Sequence, residues 1–190
     1  MNNTAVMITQ LFFTYLTFTQ LSIATYNSHG HAPDKLAYIN KLSQKFDFIL
    51  IQEHWLMESQ LNLFQNTINN IRAHGVSGMN SQELLVGRPY GGVAILWRNA
   101  IMTKVVPLST TSHRVCAVKV SLDFGDILIC NVYMPCDNNN DKDKNEFQSV
   151  LSEISNFCQQ SGCNKIIIGC DLNTDLSHTQ SYHTTSLFFC

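Results

Sequence analysis

No lysine or arginine occurs before Lys35, no two cysteines form a C-x-x-C pair, and no apolar run is long enough to cross a bilayer unbroken. The missing positive charge removes the leading region of a secretory signal. Residues 1–20 are apolar, with Val6, Ile8, Leu11, Phe12, Phe13, Leu16 and Phe18, but threonine and glutamine interrupt them, so a membrane helix is disfavoured too. They read as an apolar extension of uncertain role ahead of the first strand, with targeting or membrane tethering as the alternative.

Seven cysteines, at 116, 130, 136, 158, 163, 170 and 190, leave an odd thiol in any closed disulfide framework. Free thiols in a reducing compartment, nucleus or cytoplasm, are expected. Cys116, Cys130 and Cys170 lie in apolar runs, where a thiol packs as a small hydrophobe rather than ligating zinc. Charge of one sign is lacking as well: 12 basic residues face 14 acidic ones, so any contact with a polyanion such as DNA must be local. Nothing in the sequence speaks to the oligomeric state.

What is present is a globular composition. With 190 residues and 45% hydrophobic content, the chain can bury a sizeable core as one domain, taken here as residues 21–190. Residues 21–26 alternate apolar and polar before Asn27-Ser28-His29-Gly30, which reads as a strand entering a loop. Pro33 suits a first helical turn, and Leu36, Ile39, Leu42 and Phe46 mark one helix face. Phe48-Ile49-Leu50-Ile51 is apolar without interruption, as a strand covered on both faces should be.

The middle of the chain is rich in strands, with 93–97, 115–122 and 127–133 clearest and Gly125-Asp126 short enough for a hairpin turn. A helix follows the polar residues 137–144, with Phe147, Val150, Leu151, Ile154 and Phe157 on one face and Gly162 at its end. Ile166-Ile167-Ile168 forms a last buried strand. Mixed strand order with central hairpins suits two facing sheets covered by helices, an α+β sandwich.

Oxygen-bearing side chains recur where the expected strands end: Asn27 after the first, Glu53 after the second, Asp171 and Asn173 after the last. Any one of them is ordinarily a loop cap or an ion-pair partner. Together they suit a hard divalent cation, because ligands gather at the carboxyl ends of strands and such cations take oxygen donors. His54 and Trp55 read as packing residues beside Glu53, and His29, His31, His74 and His113 show no metal spacing.

Five segments stand in a telling order: Ala24-Thr25-Tyr26-Asn27, Ile51-Gln52-Glu53-His54, Gly91-Gly92-Val93-Ala94-Ile95, Asn131-Val132-Tyr133-Met134-Pro135 and Gly169-Cys170-Asp171-Leu172-Asn173. In this the chain resembles the endonuclease/exonuclease/phosphatase family. Gln52-Glu53-His54-Trp55, Gly87-Arg88-Pro89-Tyr90-Gly91-Gly92 and the segment 179–184 look most like endonucleases of LINE-type retrotransposons. The resemblance implies a four-layer α/β/β/α sandwich of the DNase I type and hydrolysis of phosphodiesters with magnesium, or manganese in its place. By position, Glu53 would ligate the metal and Asn27 would hold metal-bound water or phosphate. Tyr133 would contact the phosphate, Asp171 would orient or deprotonate the attacking water, and Asn173 would position that water or stabilise the transition state. Arg88 would reach the DNA backbone.

One departure is plain. The family ends in further strands and a Ser-Asp-His motif, whereas no Asp-His dipeptide occurs in this sequence, and Asp175-Leu176-Ser177-His178 is too close to Asp171 to replace it. The resemblance then implies a domain incomplete at its carboxyl end, a DNA-nicking endonuclease that is weak or inactive. Alternatives are a catalytically silent retrotransposon remnant acting as a binding module, and a phosphatase or phospholipid phosphodiesterase of the same fold.

Overall fold

The computed structural model describes residues 4–9, 16–18, 21–79, 85, 87–101, 104–123, 125–136 and 140–173. Two sheets form within them, each of five strands. The first has β2 (Leu16–Phe18), β3 (Leu21–Asn27), β4 (Phe48–Gln52), β6 (Val93–Arg98) and β5 (Ile71–Val76) side by side in that order. The second has β1 (Thr4–Thr9), β10 (Lys165–Asp171), β9 (Gly125–Tyr133), β8 (Val115–Leu122) and β7 (Lys104–Leu108). Helices α1 (Pro33–Ser43) and α2 (Leu63–Thr67) belong to the first half, and α3 (Asp141–Gln160) to the second.

Three apolar clusters account for the layering. Between the sheets, Ile23, Phe48, Leu50 and Ile95 meet Val118, Ile127, Ile129 and Ile167. Beneath α1 and α2, Ile49, Ile51 and Leu96 pack with Ile39, Leu42 and Phe64. Beneath α3, Leu128, Cys130, Ile166 and Ile168 pack with Phe147, Val150 and Phe157. The result is helix, sheet, sheet, helix. Strand β4 shows why an unbroken apolar run was needed: its even residues face the other sheet and its odd ones face α1, so all five are buried. Full burial of a side chain such as Phe48 or Leu50 stabilises by roughly 2–3 kcal/mol.

Local chemistry sets the helix ends. Pro33 stands at the start of α1, with Asp34 in the first turn and Lys41 in the last, each favourable to the helix dipole. Asn140 caps α3, its side-chain oxygen accepting the Asp143 amide at 2.9 Å. Gly162, at φ +65°, turns the chain out of α3.

Several expectations shift in detail. The hairpin between β8 and β9 is present, but Gly125 and Asp126 are paired with Leu122 and Ser121 and so belong to β9 rather than to its turn. The stretch through Leu61, Phe64 and Ile68 yields only a 3-10 turn, Glu58–Gln60, and the short α2. Within the apolar extension, β1 pairs in parallel with β10 and β2 antiparallel with β3. Strands β5 and β7 are both sheet edges, where Gly75 and Pro107 are tolerated. Among the described residues no helix is long and apolar enough to cross a membrane. The Asp175–His178 segment, residues 179–184 and the apolar end at 187–190 lie outside the described residues.

Candidate active site

Strands β3, β4, β9 and β10 deliver their carboxyl ends to one end of the sandwich. Within each sheet the relevant pairs run parallel, β3 with β4 and β9 with β10, and β10 packs across from β3 and β4. Asn27 closes β3, Glu53 follows β4, Tyr133 closes β9, Asp171 closes β10, and Asn173 is two residues further. Two sheets thus supply one cluster.

The amide of Asn27 ties it together. Its Nδ2 donates to Glu53 Oε1 at 2.7 Å and to Asp171 Oδ2 at 2.7 Å, so one NH2 group bridges carboxylates from opposite sheets. Its Oδ1 accepts the backbone N–H of His29 at 3.1 Å. Asp171 Oδ1 accepts the backbone N–H of Asn173 at 3.1 Å, and Asn173 Nδ2 donates to Met134 O at 2.6 Å. Tyr133 bonds through its side chain to both Asn173 and Glu53. Burial pushes its phenol up to about 12; the Asn173 bond opposes the rise, while the Glu53 charge adds to it. Tyr133 is therefore a hydrogen-bond donor at any physiological pH.

Neighbouring groups brace these residues. The Arg114 guanidinium lies 5.3 Å from the Tyr133 ring centroid, and its Nε donates to Glu146 at 2.7 Å. At the root of the cluster, buried Gln52 donates to Asn131, whose own amide donates to Ile51 O at 2.7 Å and Ala94 O at 2.8 Å. This amide pair locks the end of β4 to β9 across the sandwich, leaving no buried donor of Asn131 unpaired.

All five residues expected at the centre are brought into one bonded network, and Arg88 comes near through an aromatic neighbour. Its guanidinium lies 5.8 Å from the Trp55 ring centroid, and Trp55 Nε1 donates to Glu53 Oε2 at 3.3 Å. Trp55 and His29 are the residues that sequence reasoning left aside. His29 Nδ1 lies 3.5 Å from Glu53 Oε2, and its ring meets Trp55 edge to face, with centroids 6.2 Å apart. Each stands two positions after a core residue; Trp55 folds back over Glu53, and His29 reaches the same Glu53 from the loop after Asn27. Only that geometry marks them.

The donor set is chemically uniform. Glu53 and Asp171 offer carboxylate oxygens within reach of one atom, and a half-turn of the Asn27 amide would replace its NH2 with an oxygen. Two carboxylates plus an amide, with no thiol or imidazole among the bridged groups, fit a hard cation such as magnesium that keeps several waters. Among the described residues no three or more histidine, cysteine, aspartate or glutamate side chains gather as a metal site.

Residues 24–189 match the Endonuclease/Exonuclease/phosphatase family. The chain belongs to that family. Solved structures agree on the fold: the endonuclease domain of TRAS1, a telomere-specific non-LTR retrotransposon, aligns over 88% of this chain and 67% of its own length, at 15% identity and a TM-score of 0.60. A mannosyl-6-phosphatase of Bacteroides thetaiotaomicron covers 88% of this chain and 71% of itself, at 20% identity and a TM-score of 0.57. A 3' phosphatase from Neisseria, solved with a product DNA hairpin, covers 80% of this chain and 58% of itself, at 14% identity and a TM-score of 0.52. No curated protein matches in sequence. The endonuclease/exonuclease/phosphatase family thus embraces both nucleases and phosphatases on this fold, and this member spans part of the length of those relatives.

Proposed function

We propose that this chain is a divalent-cation-dependent phosphodiesterase of the retrotransposon endonuclease type, acting on DNA. The observation that carries the reading is the single Asn27 amide held at 2.7 Å from both Glu53 and Asp171, which are supplied by different sheets. Two carboxylates this close repel each other unless a positive group sits between them. A bound magnesium or manganese ion would be held by Glu53, with Asn27 turned to present its oxygen, leaving Asp171 beside it free to act on water. When bound, it supplies charge neutralisation at the phosphate and at the leaving oxygen.

The chain's own groups account for the rest. Asp171 takes a proton from a water whose oxygen forms the new bond to phosphorus, and the ester P–O bond breaks as the leaving oxygen is protonated by solvent. The Asn173 N–H holds Asp171 Oδ1, so the base is oriented before substrate arrives. Tyr133, kept protonated by its raised pKa, donates to a phosphate oxygen as charge develops there. The Asn173 amide, beside Asp171 and Tyr133, positions the attacking water.

A nucleic-acid substrate is favoured by the lip of the site. Arg88 stands over the Trp55 ring, and Trp55 donates to Glu53, so a cation and an aromatic ring adjoin the site, the pairing that backbone phosphates and bases engage. The likeness to the TRAS1 endonuclease domain points the same way. The test is nicking of supercoiled plasmid with magnesium by the purified chain, beside Glu53→Ala and Asp171→Ala. Nicking that depends on both residues supports the reading, and nicking that survives both substitutions belongs to another protein. Sugar phosphates and phospholipids assayed in parallel rank the phosphatase alternative: faster turnover of either than of DNA would replace the endonuclease reading.

A further inference from the structure

Glu53 and Trp55 both adopt left-handed backbone, at φ +53° and +57°, although neither is glycine. Such residues cost on the order of 1–3 kcal/mol each and persist only where the surroundings hold them. The residue between them, His54, is fully buried and makes three kinds of contact. Its Nδ1 accepts the Leu56 backbone N–H at 3.0 Å, which leaves the proton on Nε2, 3.1 Å from the carbonyl of Val76. Its ring stands edge to face against Phe64, with centroids 5.9 Å apart. On another side it meets Gly92, where an added Cβ would lie 2.4 Å from His54 Cε1.

The imidazole therefore joins four separated pieces of chain: the turn after β4, helix α2, the end of β5, and the glycines leading into β6. The backbone of the turn is pinned as well. Glu53 O accepts from Gly30 N at 2.7 Å and from Ser28 Oγ at 3.2 Å, and Trp55 N donates to Gly91 O at 3.0 Å. These bonds hold the carbonyl and amide of the turn, while the His54 ring, with Leu56 two residues on, plants it in the core. Letting Glu53 relax to an ordinary φ would rotate the following peptide and draw that ring from its socket.

We propose that His54 is a positioning residue of the site, its ring holding Glu53 in the left-handed conformation that directs the carboxylate to Asn27 and, across the sandwich, towards Asp171. The inference rests on the reading of Glu53 as a cation ligand. It predicts that His54 sets metal affinity without touching the metal, as partners behind a ligand do.

The experiment is calorimetric titration of the full chain with magnesium, comparing wild type, His54→Phe, His54→Gln and Glu53→Gln. Each is titrated well below its own melting temperature, measured without metal. His54→Phe keeps a ring of similar volume but neither nitrogen, and magnesium binding should weaken on the order of tenfold to a hundredfold. His54→Gln retains a donor for Val76 and should lose less; if the phenylalanine variant does not fold, the glutamine variant decides alone. A role confined to stability would lower the melting temperature and leave the affinity of the folded chain unchanged. Wild-type affinity in a folded His54 variant, with binding lost in Glu53→Gln, overturns the positioning role alone. Undiminished binding in Glu53→Gln removes the ligand reading beneath it.

Discussion

Asn27 and Asp171 stand 144 residues apart in the chain, yet the amide of one donates to the carboxylate of the other at 2.7 Å. The first residue ends a strand of one sheet and the second ends a strand of the facing sheet, so the bond spans the mouth of the sandwich. Its consequence is that site and fold are coupled: whatever slides the sheets past each other also opens the site.

Replacing Asp171 by asparagine should separate activity from stability. The variant keeps the shape of the side chain but loses the base and the charge, so turnover of a phosphodiester should fall on the order of a hundredfold to ten-thousandfold. Removing one of two facing carboxylates also relieves repulsion in the metal-free chain, so the melting temperature should hold or rise. Plasmid nicking and a thermal melt on one preparation check both; a lower melting temperature would show that the charge is already compensated.

Alkaline pH should weaken the fold through Tyr133. The phenol's folded value, about 12, lies above its ordinary value of 10.0, so the unfolded chain releases this proton first as pH rises. The contribution is thus whole below pH 10 and is lost as pH climbs towards 12. Chemical denaturation across that window should show a falling free energy of unfolding in wild type and a shallower fall in Tyr133→Phe. Between pH 6 and 9 no titration of Tyr133 should appear in the rate.

Acid should act through His54 with the opposite sign. Burial lowers its pKa from 6.5 to about 4, against the opposing hydrogen bonds to Val76 and Val93. Between those values the unfolded chain takes up a proton that the folded chain refuses. Stability is complete above pH 6.5 and declines as pH falls through that range to 4, by roughly 3 kcal/mol in all. Denaturant melts from pH 7 to 4 should show that decline, and in His54→Gln it should be largely absent.

Close packing of the two sheets near the site can be tested at Gly169. A Cβ added there would lie 2.2 Å from Leu50 Cδ1, because β10 and β4 approach face to face at this point. Gly169→Ala should cost about 1–3 kcal/mol by overpacking. Leu50→Ala alone should cost about 2–5 kcal/mol by leaving a cavity. The double variant should be less unstable than the sum, since the added methyl enters the space the leucine leaves. Strict additivity in urea melts would mean the sheets are further apart than described.

Much of the site could be read from the chain because its residues follow the strands that carry them. Asn27, Glu53, Tyr133 and Asp171 each stand at or just past the end of an apolar run, and burial of that run dictates where the strand stops. Trp55 could not be read this way, since its bond to Glu53 depends on two left-handed residues that no propensity favours. His54 looked like packing, and it is packing, but its contacts with Phe64, Val76 and Gly92 come from segments whose nearness is a matter of tertiary structure.

The sequence by itself determined the long elements and their burial: β3, β4, β6, β8, β9, β10 and the helices α1 and α3 follow from apolar periodicity, capping residues and turn glycines, all of which act within a few neighbours. Tertiary structure alone decided which strands pair beyond the β8–β9 hairpin, that β5 and β7 form the edges, and that carboxylates from two sheets share one amide. The physical reason is range. Secondary structure answers to local sterics and hydrogen bonding, whereas the meeting of Glu53 with Asp171 answers to the burial of an entire inter-sheet core.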